Sequence, residues 1–304
     1  MNAGVPTMTT RRAWWIAMRP FSFPASIVPV LVGGAVAAGE DFRPVLFLLT
    51  LVGSILIHAG CNLATDFFDF TDGVQPRATL GGVIQGGYIS ASDVHKAAIG
   101  MFVLGSICGF VIVAYVGWPV LAIGFASVLA AYFYTAAPIA YGRRGLGEVF
   151  VFVFMGIVMV MATSYVQLER LTWESFYASM PVAILVANIL HANNLRDIAN
   201  DRARSKVTIA TLIDRPASDY LLYALVVAAF TSVVVCAATG ALPTTTLVVL
   251  GTIPAAWSTF VVLKEREAMK LNPLVRNSAR LHMHFGLLLT VGLLLDLLGT
   301  LDTG

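Results

Sequence analysis

The chain has 304 residues, 58% of them apolar and 12% charged, and a mean hydropathy of +0.82. A soluble domain carries about 25% charged residues, so a water-solvated globule is excluded, and no nucleic-acid partner is expected. The formal net charge of +2 says little, because in so apolar a chain the placement of charges matters more than their sum.

Apolar runs near 20 residues match the roughly 30 Å of a hydrocarbon core, and strand alternation is absent, which predicts helices. In chain order the spacing predicts nine spans, near 14–38, 44–65, 93–114, 117–135, 147–167, 173–194, 218–240, 243–263 and 280–300. Arg11, Arg12 and Arg19 ahead of the first run imitate a secretory leader. That run holds Pro20, Pro24 and Pro29 and is followed by others like it, so a retained span is expected. Residues 1–13 are expected as a flexible cytoplasmic tail, and 14–304 as a single nine-helix domain. The long polar linkers are 66–92 and 195–217, with a basic loop at 264–279. Cys61, Cys108 and Cys236 sit singly in apolar runs without metal spacing and are read as packing residues. Gly33, Gly34, Gly53 and Gly156 suit close helix packing.

Charge placement tests this order. With the N-terminus inside, 17 of the 19 Lys and Arg fall on the cytoplasmic side, and only Arg43 and Arg170 lie outside. The C-terminus is then outside.

Acidic residues gather at two span ends. The second span closes on Asn62, Asp66, Asp69 and Asp72, and the sixth on Asn193, Asn194, Asp197 and Asp201. At about 100° per residue, Asn62, Asp66 and Asp69 share one helix face within roughly 60°, as do Asn194, Asp197 and Asp201. Both clusters fall on the cytoplasmic side, 132 residues apart, as two similar four-helix halves plus a ninth span would have them. So many mutually repelling carboxylates call for a hard cation, and an oxygen-only donor set suits Mg²⁺ or Ca²⁺. Mg²⁺ uses one or two carboxylates plus substrate phosphates, so the clusters are read as gripping a diphosphate through Mg²⁺. Arg77, Arg143, Arg144, Arg196, Arg202 and Lys206 are candidates to neutralise it.

At these residues the sequence resembles the UbiA superfamily of intramembrane prenyltransferases, and within it the branch acting on 1,4-dihydroxy-2-naphthoate in menaquinone biosynthesis. The likeness rests on Asn62-Leu-Ala-Thr-Asp66-Phe-Phe-Asp69, Gly86-Gly-Tyr-Ile-Ser90, Tyr134-Thr-Ala-Ala-Pro138, Gly145-Leu-Gly-Glu148, Asn193-Asn-Leu-Arg-Asp197-Ile-Ala-Asn-Asp201-Arg202, Leu271-Asn272 and His282. It implies nine helices around a central cavity open sideways to lipid and capped by both acidic motifs. It also implies Mg²⁺-assisted loss of diphosphate from a polyprenyl diphosphate, giving an allylic cation captured by an aromatic acceptor. By matching positions, Asn62, Asp66, Asp69, Asp197 and Asp201 are the catalytic residues, with the four aspartates as metal ligands. Arg77, Tyr134, Tyr141, Arg143, Asn194, Arg196 and Lys206 are expected to bind substrate. The chain departs from the branch at Ser205-Lys206-Val207-Thr208-Ile209, where Gly-Lys-Arg-Thr-Leu is usual. Gly81-Gly82-Val83-Ile84-Gln85 replaces the Arg-rich stretch of the ubiquinone branch, and Asp72 is offset by one from that branch's third aspartate. Both differences favour naphthoate over 4-hydroxybenzoate.

Phe67, Phe68, Tyr134 and Tyr141 are candidates to face the cation. Gly81-Gly82 and Gly86-Gly87 are read as turns, and His58 and His191 as hydrogen-bonded helix residues. His282 and His284, two apart, point to different faces and make no metal site. The rival from another class is a cation-coupled transporter, but transporters hold their carboxylates near the bilayer midplane, whereas these lie at span ends. A bacterial plasma membrane is expected, since no organelle-targeting feature is present.

Overall fold

The computed structural model describes residues 8–39, 41–73, 82–265 and 267–301. Among them there is no strand, only an isolated bridge between Arg144 and Val207.

The first predicted span is broken. Helix α1 (Thr10–Met18) ends where Arg19 turns left-handed, at φ 54°. Proline disfavours the helical region for the residue before it, and Pro20 follows Arg19. A short 3₁₀ turn, Pro20–Ser22, leads into α2 (Pro24–Val36), and the two halves meet at 45°. Because α1 starts at Thr10, residues 10–13 of the expected tail are helical; residues 1–7 lie outside the described residues.

Helices α3 (Pro44–Thr71) and α4 (Ala91–Val116) run antiparallel, with Gly53 beside Cys108 and Gly60 beside Ala98. Helix α3 continues well past the predicted end at 65, so Asp66 and Asp69 ride on the same rod as Asn62. Ser90 caps α4 by accepting from the Asp93 amide at 3.1 Å. Then come α5 (Trp118–Phe133), α6 (Gly147–Leu168) with a π-helical stretch over Val151–Val158, and α7 (Trp173–Arg196). A short α8 (Ile198–Ala203) leads to α9 (Ile209–Ala238), which kinks at Asp214 ahead of Pro216. Helix α10 (Thr244–Leu263) begins as 3₁₀, and α11 (Asn272–Leu301) closes the bundle.

Seven of these helices are long and apolar enough to cross a membrane, and an eighth if the bent α1–α2 pair is one span. The expected span 117–135 corresponds to α5, whose 16 residues rise about 24 Å, short of the core thickness. The polar linkers also hold more helix than their composition suggests. A Thr208–Thr211 capping box starts α9 at Ile209 rather than 218, and α11 starts at Asn272 rather than 280.

Helix α7 is the axis, with 72% of its apolar window buried. Val28, Leu185, Leu222, Leu281 and Phe285 join α2, α7, α9 and α11 in one core, while Leu63, Val94 and Phe102 join α3 and α4 in another. Two glycines sit hard against the backbone of a neighbouring helix. A Cβ on Gly33 would lie 2.4 Å from the Val160 carbonyl oxygen, and one on Gly156 2.2 Å from the Ala183 Cβ. Outward faces are apolar: Val45, Phe110, Phe125 and Trp257 are all more than half exposed, as lipid rather than water allows. Tyr115, Trp118 and Trp173 mark one end as an interfacial belt. The acidic motifs sit at the other.

Candidate active site

The first motif is held from the side of the broken span. Asn62 Nδ2 donates to the Met18 carbonyl at 3.0 Å and to Ser22 Oγ at 3.2 Å. Ser22 gives its own proton to the Arg19 carbonyl at 2.8 Å, so it accepts from His58 Nε2 at 3.2 Å. That leaves His58 Nδ1 to accept from Ser26 Oγ at 2.8 Å. His58 is thus the hydrogen-bonded helix residue expected. The network fixes the left-handed corner at Arg19, whose guanidinium ion-pairs with Asp66.

Arg143 joins both motifs. Its carbonyl accepts from the Val207 amide at 3.0 Å, and the Gly145 amide donates to the Val207 carbonyl at 2.9 Å. These two bonds tie the short 3₁₀ turn Tyr141–Arg143 to the loop behind the second motif. The Arg143 side chain reaches the other way, to Asp69 at 2.8 Å and to Asp72. Burial alone would lower its pKa, but the bonds and charges of Asp72 and Asp69 outweigh that and hold it above the ordinary arginine value. Replacing Arg143 with Ala is expected to lower kcat about a hundredfold. Lysine is expected to restore only part, lacking the fork that spans two carboxylates. Steady-state kinetics of both variants check this, and an unchanged kcat in Arg143→Ala refutes it.

At the second motif α7 stops at Arg196, and Asp197 (φ −98°, ψ 9°) is the joint to α8, which carries Asp201. The single continuous face predicted for Asn194, Asp197 and Asp201 is therefore broken at its middle residue. Arg196 forks onto Asp197, with Nε and Nη2 each 2.7 Å from a carboxylate oxygen, and also donates to Asn193 Oδ1 at 2.9 Å. Lys206 Nζ lies 3.0 Å from Asp201 Oδ2 and 3.4 Å from Asn194 Oδ1. Asn194 Nδ2 donates to buried Glu148 Oε1 at 2.9 Å. His191, fully buried, donates from Nε2 to the Ser218 carbonyl at 3.0 Å and turns Nδ1 towards Glu148 at 3.6 Å. This chain from Asp201 to Ser218 ties α6, α7 and α9 behind the motif.

The motifs adjoin a cavity of about 1080 Å³ whose lining includes Arg19, Asn62, Tyr134, Tyr141, Asn193 and Arg196. Among the described residues no Asp or Glu lines it: the aspartates stand beside its lining residues, held by their bases. Tyr141 donates to the Ala130 carbonyl at 2.7 Å, and its ring stacks on Phe150 at 4.0 Å, with Phe154 stacked next at 5.8 Å. Tyr134 meets Tyr141 edge-on. Phe150 and Phe154 line the cavity too, but in sequence they are only two more apolar residues of a span. Phe67 and Phe68 do not join them. They lie on the far side of α3 from Asn62, where Phe67 stacks on His95 at 4.2 Å and Phe68 packs edge-on to Tyr132. Arg144 turns to the Pro138 carbonyl, and Arg202 to the Thr211 carbonyl and Asp214, so neither faces the motif aspartates. Arg77 and Gly81 lie outside the described residues, and Gly87 (φ 69°) is a turn residue.

Among the described residues no three His, Cys, Asp or Glu side chains form a metal-holding group. The donors at hand are carboxylate and amide oxygens, distributed over two motifs. That set fits Mg²⁺, which takes one or two carboxylates and completes its octahedron with phosphate and water.

Apolar spans with two acidic motifs at one end beside an aromatic-lined cavity define an integral membrane protein built for a charged headgroup on an apolar tail. Residues 26–279 match the UbiA prenyltransferase family, and the chain belongs to it: the protein is a prenyltransferase. It is 30% identical to the 1,4-dihydroxy-2-naphthoate octaprenyltransferase of Bacillus subtilis (strain 168), over 93% of this chain and 92% of that one. It is 27% identical to the UbiA prenyltransferase domain-containing protein 1 of Gallus gallus, over 95% of this chain and 86% of that one. The fold matches a UbiA homologue from Archaeoglobus fulgidus bound to GPP and Mg²⁺, with a TM-score of 0.63 and 14% identity over 91% of this chain and 99% of that one.

Proposed function

We propose that the protein transfers a polyprenyl group from an isoprenyl diphosphate to 1,4-dihydroxy-2-naphthoate, with loss of CO₂. The observation that carries this is the gathering of both acidic motifs and their four cationic partners around one end of the aromatic-lined cavity. The 30% identity to the Bacillus subtilis enzyme supports the acceptor.

Asp66, Asp69, Asp197 and Asp201, with the amide of Asn62, would hold Mg²⁺, which when bound supplies charge for the leaving diphosphate. Arg19, Arg143, Arg196 and Lys206 exchange their carboxylates for phosphate oxygens as the diphosphate enters. The faces of Tyr134, Tyr141, Phe150 and Phe154 receive the allylic cation, and the cavity keeps it from water. The new C–C bond forms at the ring carbon bearing the carboxylate, and the bond to the carboxylate then breaks, releasing CO₂. Cation plus arenecarboxylate gives product plus CO₂ with no proton left over, so the step needs no protein base.

Charge asymmetry supports nine spans, with the bent α1–α2 pair and the short α5 each crossing once. The same asymmetry supports a cytoplasmic N-terminus and motif end with the C-terminus outside, and the likeness to the Bacillus subtilis enzyme supports a bacterial plasma membrane.

The test is prenyl transfer in liposomes with Mg²⁺ and a long-chain isoprenyl diphosphate. 1,4-Dihydroxy-2-naphthoate and 4-hydroxybenzoate compete as acceptors while product mass and CO₂ are followed. A decarboxylated naphthol product that disappears with EDTA is expected. Turnover only of 4-hydroxybenzoate overturns the acceptor, and transfer to neither overturns the aromatic-acceptor reading.

A further inference from the structure

Of the basic side chains lining the cavity, Arg19 and Arg196 are paired with aspartates, and His58 is hydrogen-bonded to Ser22 and Ser26. Three others come from α11: Arg276, Arg280 and His284. Among the described residues these three have neither a hydrogen-bond nor an ion-pair partner. They recur every four residues, so they form one stripe, each member about 6 Å further along the helix than the last. All three are exposed, while Leu274, Ser278, Leu281, His282 and Phe285 on the other face are at most 1% exposed. The buried face anchors the helix and turns the stripe to the cavity.

Basic residues at a helix end serve membrane orientation. That explains Arg276, near the start of α11, better than it explains Arg280 and His284 further in. Charges inside the bilayer are costly and face cavities that use them. Here they face a chamber whose lining, among the described residues, includes no carboxylate, so its wall is electropositive. A diphosphate with its metal needs carboxylates, which the motifs supply and the stripe lacks. A singly charged carboxylate needs only a guanidinium fork, and the ladder Tyr141, Phe150 and Phe154 offers ring faces to a flat aromatic body.

We infer that Arg276 and Arg280 bind the carboxylate of the aromatic acceptor, with His284 beside them, and so select a ring acid over the corresponding phenol. The inference rests on the aromatic-acceptor reading above.

Titration of the full chain in nanodiscs, without prenyl diphosphate, tests it with 1-hydroxy-2-naphthoate and 1-naphthol as probes. Wild type is expected to bind the acid about tenfold more tightly or better, and Arg276→Ala/Arg280→Ala to bind both alike. In the double variant the KM for prenyl diphosphate is expected to hold within about twofold. Arg276→Lys/Arg280→Lys keeps the charge and loses the fork, and is expected to fall between, which secures the result if the alanine variant does not fold. A preference for the acid that survives in folded variants overturns the inference, and so does a loss confined to prenyl diphosphate. Failure of wild type itself to prefer the acid overturns the inference too, whereas the acceptor reading falls only if the transfer assay above yields no naphthol product.

Discussion

Asp66→Asn and Asp197→Asn are each expected to lower prenyl transfer by about a thousandfold while the bundle stays folded. Asparagine keeps the shape of the side chain and a hydrogen bond to Arg19 or Arg196, but removes the charge on which the proposed metal and diphosphate grip depends. Alanine is the poorer probe at Asp66. It leaves the half-buried Arg19 guanidinium without its partner, at a cost of about 1–3 kcal/mol, so a loss of fold would mix with a loss of chemistry. Single-turnover transfer in liposomes, read beside the thermal midpoint, separates the two. Rates near wild type in both variants, with midpoints unchanged, would remove these carboxylates from the reaction.

The second large effect is on the scaffold. Gly156→Val is expected to destabilise the protein by about 3 kcal/mol or more. A Cβ at 156 would stand 2.2 Å from the Ala183 Cβ and 2.3 Å from its Cα. Backbone cannot swing aside as a side chain can, so α6 must move away from α7. Phe150 and Phe154 on α6 carry the aromatic ladder, so the cavity wall moves with it. The measurement is the half-life of the folded protein in detergent on heating. A half-life equal to wild type would mean that the helices separate at no cost.

Much of this arrangement is written locally. Span-length apolar runs, and the Asn-and-Asp spacing at the ends of α3 and α7, follow from helical period alone, so the helical class and both motifs are legible in sequence. What joins them is not. Arg19 meets Asp66 across 47 residues and Arg143 meets Asp69 across 74, and no local pattern encodes such pairs. Read as topology markers, the arginines of α11 give no sign that they line a cavity. Phe67 and Phe68 were legible as aromatic but misread as cation-facing, although the face that carries Asn62, Asp66 and Asp69 already turns them away. The break at Arg19 was signalled by Pro20, yet the apolar run continues through it. Helix α5 fell short of a full span because its apolar run continues beyond Phe133 into a turn.

Five carboxylates beside four fixed cations leave the cap's own side chains close to electroneutral. On the reading proposed above, free Mg²⁺ approaching alone gains little, since each aspartate it would ligate already has a counterion. The diphosphate gives those counterions somewhere else to go. Metal and donor are therefore thermodynamically linked: each raises the apparent affinity of the other by the same factor. On that reading the cap would detect the pair and be nearly blind to either one alone.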